Sequence, residues 1–427
     1  AAAAPPPPEP ARSPAGGPPD PDVSPGELAM AQDPQAYSAV GLARRLEALR
    51  RAAPGGTLDC VVPHADGILG FLKLVHEHLL VLITRSKKVG LLFGQYVHTV
   101  AATKVVRLNK RFFLAKDSRS EARFRHLFQT LDLSKDFYFS YGYDLTNTVQ
   151  ALATRDGNAE DPAAAAVAGG GGGGEGAVQC NTMFAWNLHM LRPLLAAGRR
   201  QVDGAPDPED WCLPVVHGFF QQRLIQVGPR RLRLTLVSRR SRHFAGTRFL
   251  RRGVNDRGHC ANEVETEQIA ALDLAAADGP RCRMAAMTQT RGSIPLFWSH
   301  RNIASPKPDI VVHDRPLGPT RRHFGRLLRQ HGGPVAVLNL IRQQEKKPIE
   351  LHLFHRLNEV VPRLTRPEEG EEGAEPLPLL YTCYDFINNT RLLGENALVQ
   401  LEKISQRLFP GIGYFSFRAW EAPGAGA

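Results

Sequence analysis

Residues 238–268, SRRSRHFAGTRFLRRGVNDRGHCANEVETEQ, constrain the fold of this 427-residue chain more than any other stretch. Leu232, Leu234, Leu236 and Val237 lead into it with the texture of a strand. Arg239, Arg240, Arg242, Arg248, Arg251 and Arg252 then crowd together, and Glu263, Glu265 and Glu267 close the stretch. The acidic close reads as the start of a helix leading into Ile269. Charge at this density must meet water, a partner or a ligand. Spacing alone favours a solvated surface ribbon over one lining an anion site, with ion pairs to the three glutamates inside the fold as the alternative for any single arginine.

The wording of the stretch narrows the choice. It resembles the Sac-domain phosphoinositide phosphatases, which write S-R-R-S-x-x-R-A-G-T-R-Y-x-x-R-G-x-D-x-x-G-x-x-A-N-F-V-E-T-E-Q. The chain agrees at Ser238, Arg239, Arg240, Ser241, Ala245, Gly246, Thr247, Arg248, Arg252, Gly253, Gly258, Ala261, Asn262, Val264, Glu265, Thr266, Glu267 and Gln268. It departs at Phe244, Asn255 and Glu263, where the family has Arg, Asp and Phe. Phe137–Gln150 (FYFSYGYDLTNTVQ), residues 184–194 (FAWNLHMLRPL) and Gln289–Ser299 (QTRGSIPLFWS) also follow the family, so the resemblance covers residues 58–418 apart from an insert.

The resemblance implies an α/β chain, α+β overall: a β-rich N-terminal subdomain over 57–195, then an incomplete α/β phosphatase domain over 196–418. It also implies hydrolysis of phosphatidylinositol phosphates, most simply the 4-phosphate, through a cysteine nucleophile with no cofactor and no metal. The expected partners are phosphoinositide headgroups and an anionic membrane at the cytosolic face of endomembranes. Arg239, Arg240, Arg248 and Arg252 are the candidate substrate-binding residues, because the planar guanidinium grips phosphate with two parallel hydrogen bonds.

Composition fits an acidic partner. The formal charge is +11, and no zinc-finger, aromatic RNA-binding or helix-turn-helix pattern points to nucleic acid. Six scattered cysteines without a C-x-x-C pair suit a reducing compartment. No signal-peptide pattern and no run of about 18 apolar residues is present. Residues 1–34, rich in Ala, Pro and Gly, read as disordered, and residues 419–427 as a tail. Residues 155–178 form a flexible insert whose six glycines, 169–174, lack the Lys and Ser/Thr of a phosphate-binding loop.

Periodicity predicts a helix over Tyr37–Ala52, strands at Gly67–Lys73, His78–Thr84, Val89–Val97 and Lys104–Leu108, another strand from Phe112, and a helix at Glu121–Leu131. Asp144 or Thr146 is the expected cap of a helix burying Leu145, Val149 and Leu152. From Val335 onward strands alternate with helices.

The chemistry has a gap. The nucleophile implied by the family needs a cysteine, five residues, then arginine, so that one loop both lowers the thiol pKa and cradles the anion. The residues six places after Cys60, Cys180, Cys212, Cys260, Cys282 and Cys383 are Asp66, Trp186, Gly218, Thr266, Thr288 and Asn389. The expectation is therefore a piece of a phosphatase, with a catalytically inactive lipid-binding module as the alternative, and no catalytic residue is assigned. His64, His76 and His78, and the pair His352 and His355, are weighed as ligands and read as structural. Trp186, Phe297 and Trp298 read as core.

Overall fold

The apolar runs between residues 67 and 108 build a meander, the start of a long antiparallel sheet. In the computed structural model, residues 38–52, 64–74, 78–108, 118–155, 180–198, 212–247, 250–274, 281–301, 308–345, 349–366 and 375–420 are described. Residues 1–34, most of the 155–178 insert, the strand expected from Phe112, His76 and Arg248 lie outside them. Helix α1 spans Ala39–Ala52, close to the predicted segment. Strand β1 is Gly67–Lys73.

Three expected strands prove to be two. Strand β2, His78–Leu92, runs unbroken through Arg85–Lys88 and pairs with β3, Gln95–Arg107. The charged residues sit at exposed or half-buried positions of a continuous ladder instead of ending it. The turn is the two residues Phe93 and Gly94, both at positive φ (48° and 73°), the geometry that matches strand twist in a tight hairpin.

Helix α2, Ser118–Gln129, precedes the short strand β4, Phe137–Phe139. The helix after it, α3, is Val149–Arg155, and it is Thr148 whose hydroxyl accepts from the Ala151 amide (3.1 Å). Asp144 instead closes the preceding turn, accepting from the Thr146 amide (2.9 Å) and the Asn147 side chain (2.6 Å). Leu145, Val149 and Leu152 are buried together as the spacing predicts. Helix α4 is Leu188–Gly198.

Strands β5 (Val216–Val227), β6 (Arg230–Arg240), β7 (Val264–Leu274) and β8 (Arg281–Arg291) extend the sheet, and β13 (Phe415–Trp420) closes it on β8. The nine strands lie in the order β1-β2-β3-β4-β5-β6-β7-β8-β13. The expected subdomain boundary, between 195 and 196, falls in the last turn of helix α4, residues 199–211 lie outside the described residues, and the ladder joins β4 to β5 through Phe137↔His217 and Tyr138↔Val216.

Glu263–Gln268 is the clearest departure in local structure: the expected helix start is the head of strand β7. Glu263, Glu265 and Glu267 are all buried while Val264, Thr266 and Gln268 are not, the two-residue period of a strand.

The remaining elements are α/β in character, as expected. Strands β9 (Trp298–Arg301) and β10 (Asp309–Val312) form a small hairpin. Helix α5 is Gly318–His331. Strand β11 (Val335–Asn339) pairs in parallel with β12 (Leu379–Cys383), with helix α6 (Leu351–Thr365) in the crossover. Helices α7 (Phe386–Leu393) and α8 (Asn396–Ile412) follow.

Among the described residues, three large apolar cores result, with a small fourth at Ala271 and Met284. One is built on Val97, Val216, Val237 and Ile269, a second on Ile83, Val100, Phe137 and Phe139, and the third on Phe324, Leu353, Leu357, Val360 and Leu379. Tyr138 packs on the first while its neighbours Phe137 and Phe139 belong to the second, so these two cores lie on opposite faces of the sheet.

Candidate functional site

The arginine-rich loop is held in place from below by buried charge. Register puts Arg239 of β6 directly opposite Glu265 of β7, with Glu267 one step along the same buried face. The Arg239 guanidinium is 0% exposed. It donates to Glu265 (3.1 Å), Glu267 (2.7 Å) and the carbonyls of Leu145 (2.6 Å) and Asn147 (2.7 Å). Burial works against its charge, but Glu267 and Glu265 outweigh that and hold it protonated. Glu267 also accepts from the Val149 amide (2.7 Å), which ties the first turn of α3 to the sheet.

Helix α5 covers the same row of carboxylates. Arg326 places one guanidinium nitrogen 2.7 Å from both oxygens of buried Glu263, and Gln330, one turn on, donates to Glu265 (2.5 Å). His331 lies 3.5 Å from Glu265. Burial raises Glu265 to about 7, Arg239 pulling it back and Glu267 adding to the rise. Burial also drives His323 down to about 3 and His331 down to about 4, with Arg326 pushing both in the same direction.

Above this base, residues 241–247 and 250–262 form a loop region braced by side chains. Asn262, at φ 52°, accepts from the Arg240 guanidinium (2.7 Å) and the Gly246 amide (3.2 Å). Asn255 accepts from the amides of Arg257 (3.1 Å) and His259 (2.9 Å), an acceptor role that Asp would fill equally. His243 stacks on His259 with ring centroids 4.3 Å apart. Gly253 sits at φ 71° with the Leu296 carbonyl 2.3 Å from where a Cβ would stand, so only glycine lets the loop approach residues 296–298 this closely.

Between this loop and the β9–β10 hairpin lies a cleft of about 340 Å³. Arg252 stacks over the Trp298 ring (5.2 Å to the centroid) and Arg315 over Phe297 (5.1 Å). Ser299 and His313 share a hydrogen bond of 2.9 Å in the wall, which His300, Phe244, Leu250 and Val254 also line. Two guanidiniums, two imidazoles, a hydroxyl and aromatic faces suit an anion that carries an apolar or ring-shaped body, since phosphate oxygens accept from all three polar groups.

The four candidate arginines thus separate. Arg252 lines the cleft. Arg240 is half-buried and braces the loop through Asn262. Arg248 lies outside the described residues. For Arg239 the expected contact with a headgroup does not hold, because the side chain is sealed inside, donating to two glutamates and two carbonyls. Arg315, His313, His300 and Ser299 were missed by the sequence reading. QTRGSIPLFWS pointed to Ser299, but nothing marked residues 313–315. Phe297 and Trp298, read as core, also carry the cleft's arginines.

Cys260, Glu263 and His323 bring their donor atoms within 4.8 Å of one another, a spacing that could hold a metal ion. The side chains do not fit one, because the Arg326 guanidinium already stands between them, 2.7 Å from Glu263 and 3.2 Å from His323 Nδ1. Burial also pushes the Cys260 thiol up, away from the thiolate that metals and nucleophilic attack require. His64 hydrogen-bonds Asp66 (2.7 Å).

The SacI homology domain profile matches residues 66–391. The chain is 34% identical to "Phosphoinositide phosphatase SAC2" of Arabidopsis thaliana over 90% of its own length and 44% of that relative. It is 34% identical to "Phosphatidylinositol-3-phosphatase SAC1" of the same plant over 92% of its length and 40% of that relative. It is 36% identical to "Polyphosphoinositide phosphatase" of Schizosaccharomyces pombe (strain 972 / ATCC 24843) over 75% of its length and 36% of that relative. The chain therefore spans less than half the length of each of these curated relatives.

Proposed function

The chain belongs to the SacI homology domain family, and from that premise we propose that it is the substrate-receiving part of a phosphoinositide phosphatase. The observation that carries the reading is the cleft where Arg252, Arg315 and His313 converge beside aromatic walls. In this proposal the arginines and the imidazole take the phosphoryl oxygens of a phosphatidylinositol phosphate, most simply the 4-phosphate, and the aromatic faces take the inositol ring. Arg240 keeps the loop in shape, and Arg248 remains a candidate for headgroup binding. Residues 57–195 are then the N-terminal subdomain and 196–418 the catalytic-type subdomain. The whole protein would work at an anionic membrane on the cytosolic side of the endomembranes. Among the described residues, no helix is long and apolar enough to cross a bilayer.

Hydrolysis in this reading belongs to a cysteine thiolate of the whole protein. The thiolate attacks phosphorus, the inositol oxygen leaves and takes up a proton, and water then splits the phosphocysteine to inorganic phosphate and thiol. None of the six cysteines here is followed at that spacing by arginine. That observation also favours a second reading, a phosphoinositide-binding module without hydrolysis. The test is sedimentation of purified 1–427 with vesicles holding phosphatidylinositol 4-phosphate or a charge-matched amount of phosphatidylserine, with released phosphate assayed in parallel. Binding is expected to favour the phosphoinositide by about tenfold, with no phosphate released. Equal binding to both vesicles would refute phosphoinositide recognition.

A further inference from the structure

The β5–β6 hairpin ends in a tip whose composition fits neither the core nor ordinary solvent-facing surface. Val227 pairs with Arg230, so the turn is Gly228 and Pro229, with Gly228 at φ 58°. The ladder from β6 to β7 stops at Leu232↔Leu272, whereas the β5–β6 ladder continues through Gln226↔Arg231 and Val227↔Arg230 to the turn. On its other flank β5 pairs with β4 only at Val216 and His217. The far half of β5 is thus an edge among the described residues, and edges are normally blunted with charge or covered. Here Leu224 is 59%, Val227 56% and Ile225 36% exposed.

Along the hairpin itself the charge has one sign. Arg223, Arg230 and Arg231 are exposed, and the sequence from Val216 to Arg240 holds no Asp or Glu. Apolar side chains flanked by arginine suit the interface of an anionic bilayer, where the apolar groups enter the acyl boundary and the guanidiniums stay at the headgroups. A second copy of the chain is a poor occupant, because edge-to-edge pairing would bring like-charged arginines together.

We propose that the β5–β6 hairpin tip inserts Leu224, Ile225 and Val227 into anionic lipid, with Arg223, Arg230 and Arg231 at its headgroups. This adds to the membrane part of the proposed function but stands on the hairpin alone. The tip and the loop that lines the cleft leave opposite ends of the eleven-residue β6, about 35 Å apart at strand rise. Both reach one bilayer only if β6 lies along its plane.

The test uses the full chain and vesicles of phosphatidylcholine with or without 30% phosphatidylserine (about one lipid in three, a strongly anionic surface) and no phosphoinositide. Binding to the anionic vesicles is expected, and the double variant Leu224→Ser, Val227→Ser should weaken it about tenfold or more with an unchanged Tm. Independently, Val227→Trp should gain fluorescence that brominated acyl chains quench. Retained binding by the double variant, or no added quenching with Val227→Trp, would overturn the insertion. So would dimers by sedimentation equilibrium that the double variant converts to monomers. Failure of phosphoinositide recognition reads out separately, as loss of preference for the phosphoinositide in variants that leave the tip intact.

Discussion

At the scale of single residues, the informative positions are those where the chain departs from its family's wording. Glu263 stands where Phe is usual and is buried against Arg326, which is 63 positions away in sequence. A carboxylate in place of an aromatic ring inside a fold requires such a partner. Removing the partner alone should therefore be costly: Arg326→Leu is expected to destabilise by about 3 kcal/mol, measured by denaturant unfolding. Restoring the family residue in the same molecule, Glu263→Phe with Arg326→Leu, should recover most of that loss. If the single variant is as stable as the parent, the pair is not structural. The sequence showed Glu263 to be unusual but could not show its partner, because nothing local connects a strand head to a helix sixty residues on. Arg239 carries the same lesson in reverse. Its identity suggested phosphate binding, whereas its place opposite Glu265 and Glu267 makes it part of the interior.

At the scale of elements, the sequence marked where structure lies better than what kind it is. Strand β1 and helices α1 and α2 fall close to where periodicity put them, since a clear apolar stripe is a local property. The head of β7 was misread because three glutamates resemble a helix N-terminus, although their two-residue period and the intervening Val264 and Thr266 carry the strand signal. The cleft was legible only on one side. The loop from Ser241 to Asn262 was identified as a site, while the β9–β10 hairpin that faces it had no recognisable charge pattern. Gly253 joins the two. Gly253→Ala adds a Cβ both at positive φ and against the Leu296 carbonyl, so it should cost about 2 kcal/mol and weaken headgroup binding together. Unfolding midpoints and vesicle sedimentation on the same preparation check this. A loss of stability with binding intact would separate the loop from the cleft.

At the scale of the whole molecule, the buried network sets how the fold answers to pH. His323 at about 3, His331 at about 4 and His243 at about 4, each depressed chiefly by burial, stay neutral in the folded state but protonate near 6.5 when unfolded. The unfolded chain therefore binds more protons below 6.5, and their contribution to stability is lost as pH falls from there toward 4. Glu265, raised from 4.5 to about 7, acts with the opposite sign and favours folding as pH falls through the same window. Glu263 is raised by burial as well, but His259 and His217 are also depressed by it, so the lowered histidines outnumber the raised carboxylates. The Tm should drop between pH 6.5 and 4.5, and a Tm that holds or rises there would show that the histidines are not buried neutral. The family and the α+β character were legible because long motifs survive in sequence. The continuity of the nine-stranded sheet was not, because it depends on pairings between residues far apart along the chain. The proposed phosphoinositide cleft between the arginine-rich loop and the β9–β10 hairpin is tested most directly by calorimetric titration of the chain with a short-chain, soluble phosphatidylinositol 4-phosphate. Saturable binding that weakens at least about tenfold in Arg252→Gln, Arg315→Gln, at unchanged Tm, is the predicted result. Binding unaffected by the double substitution would contradict the claim.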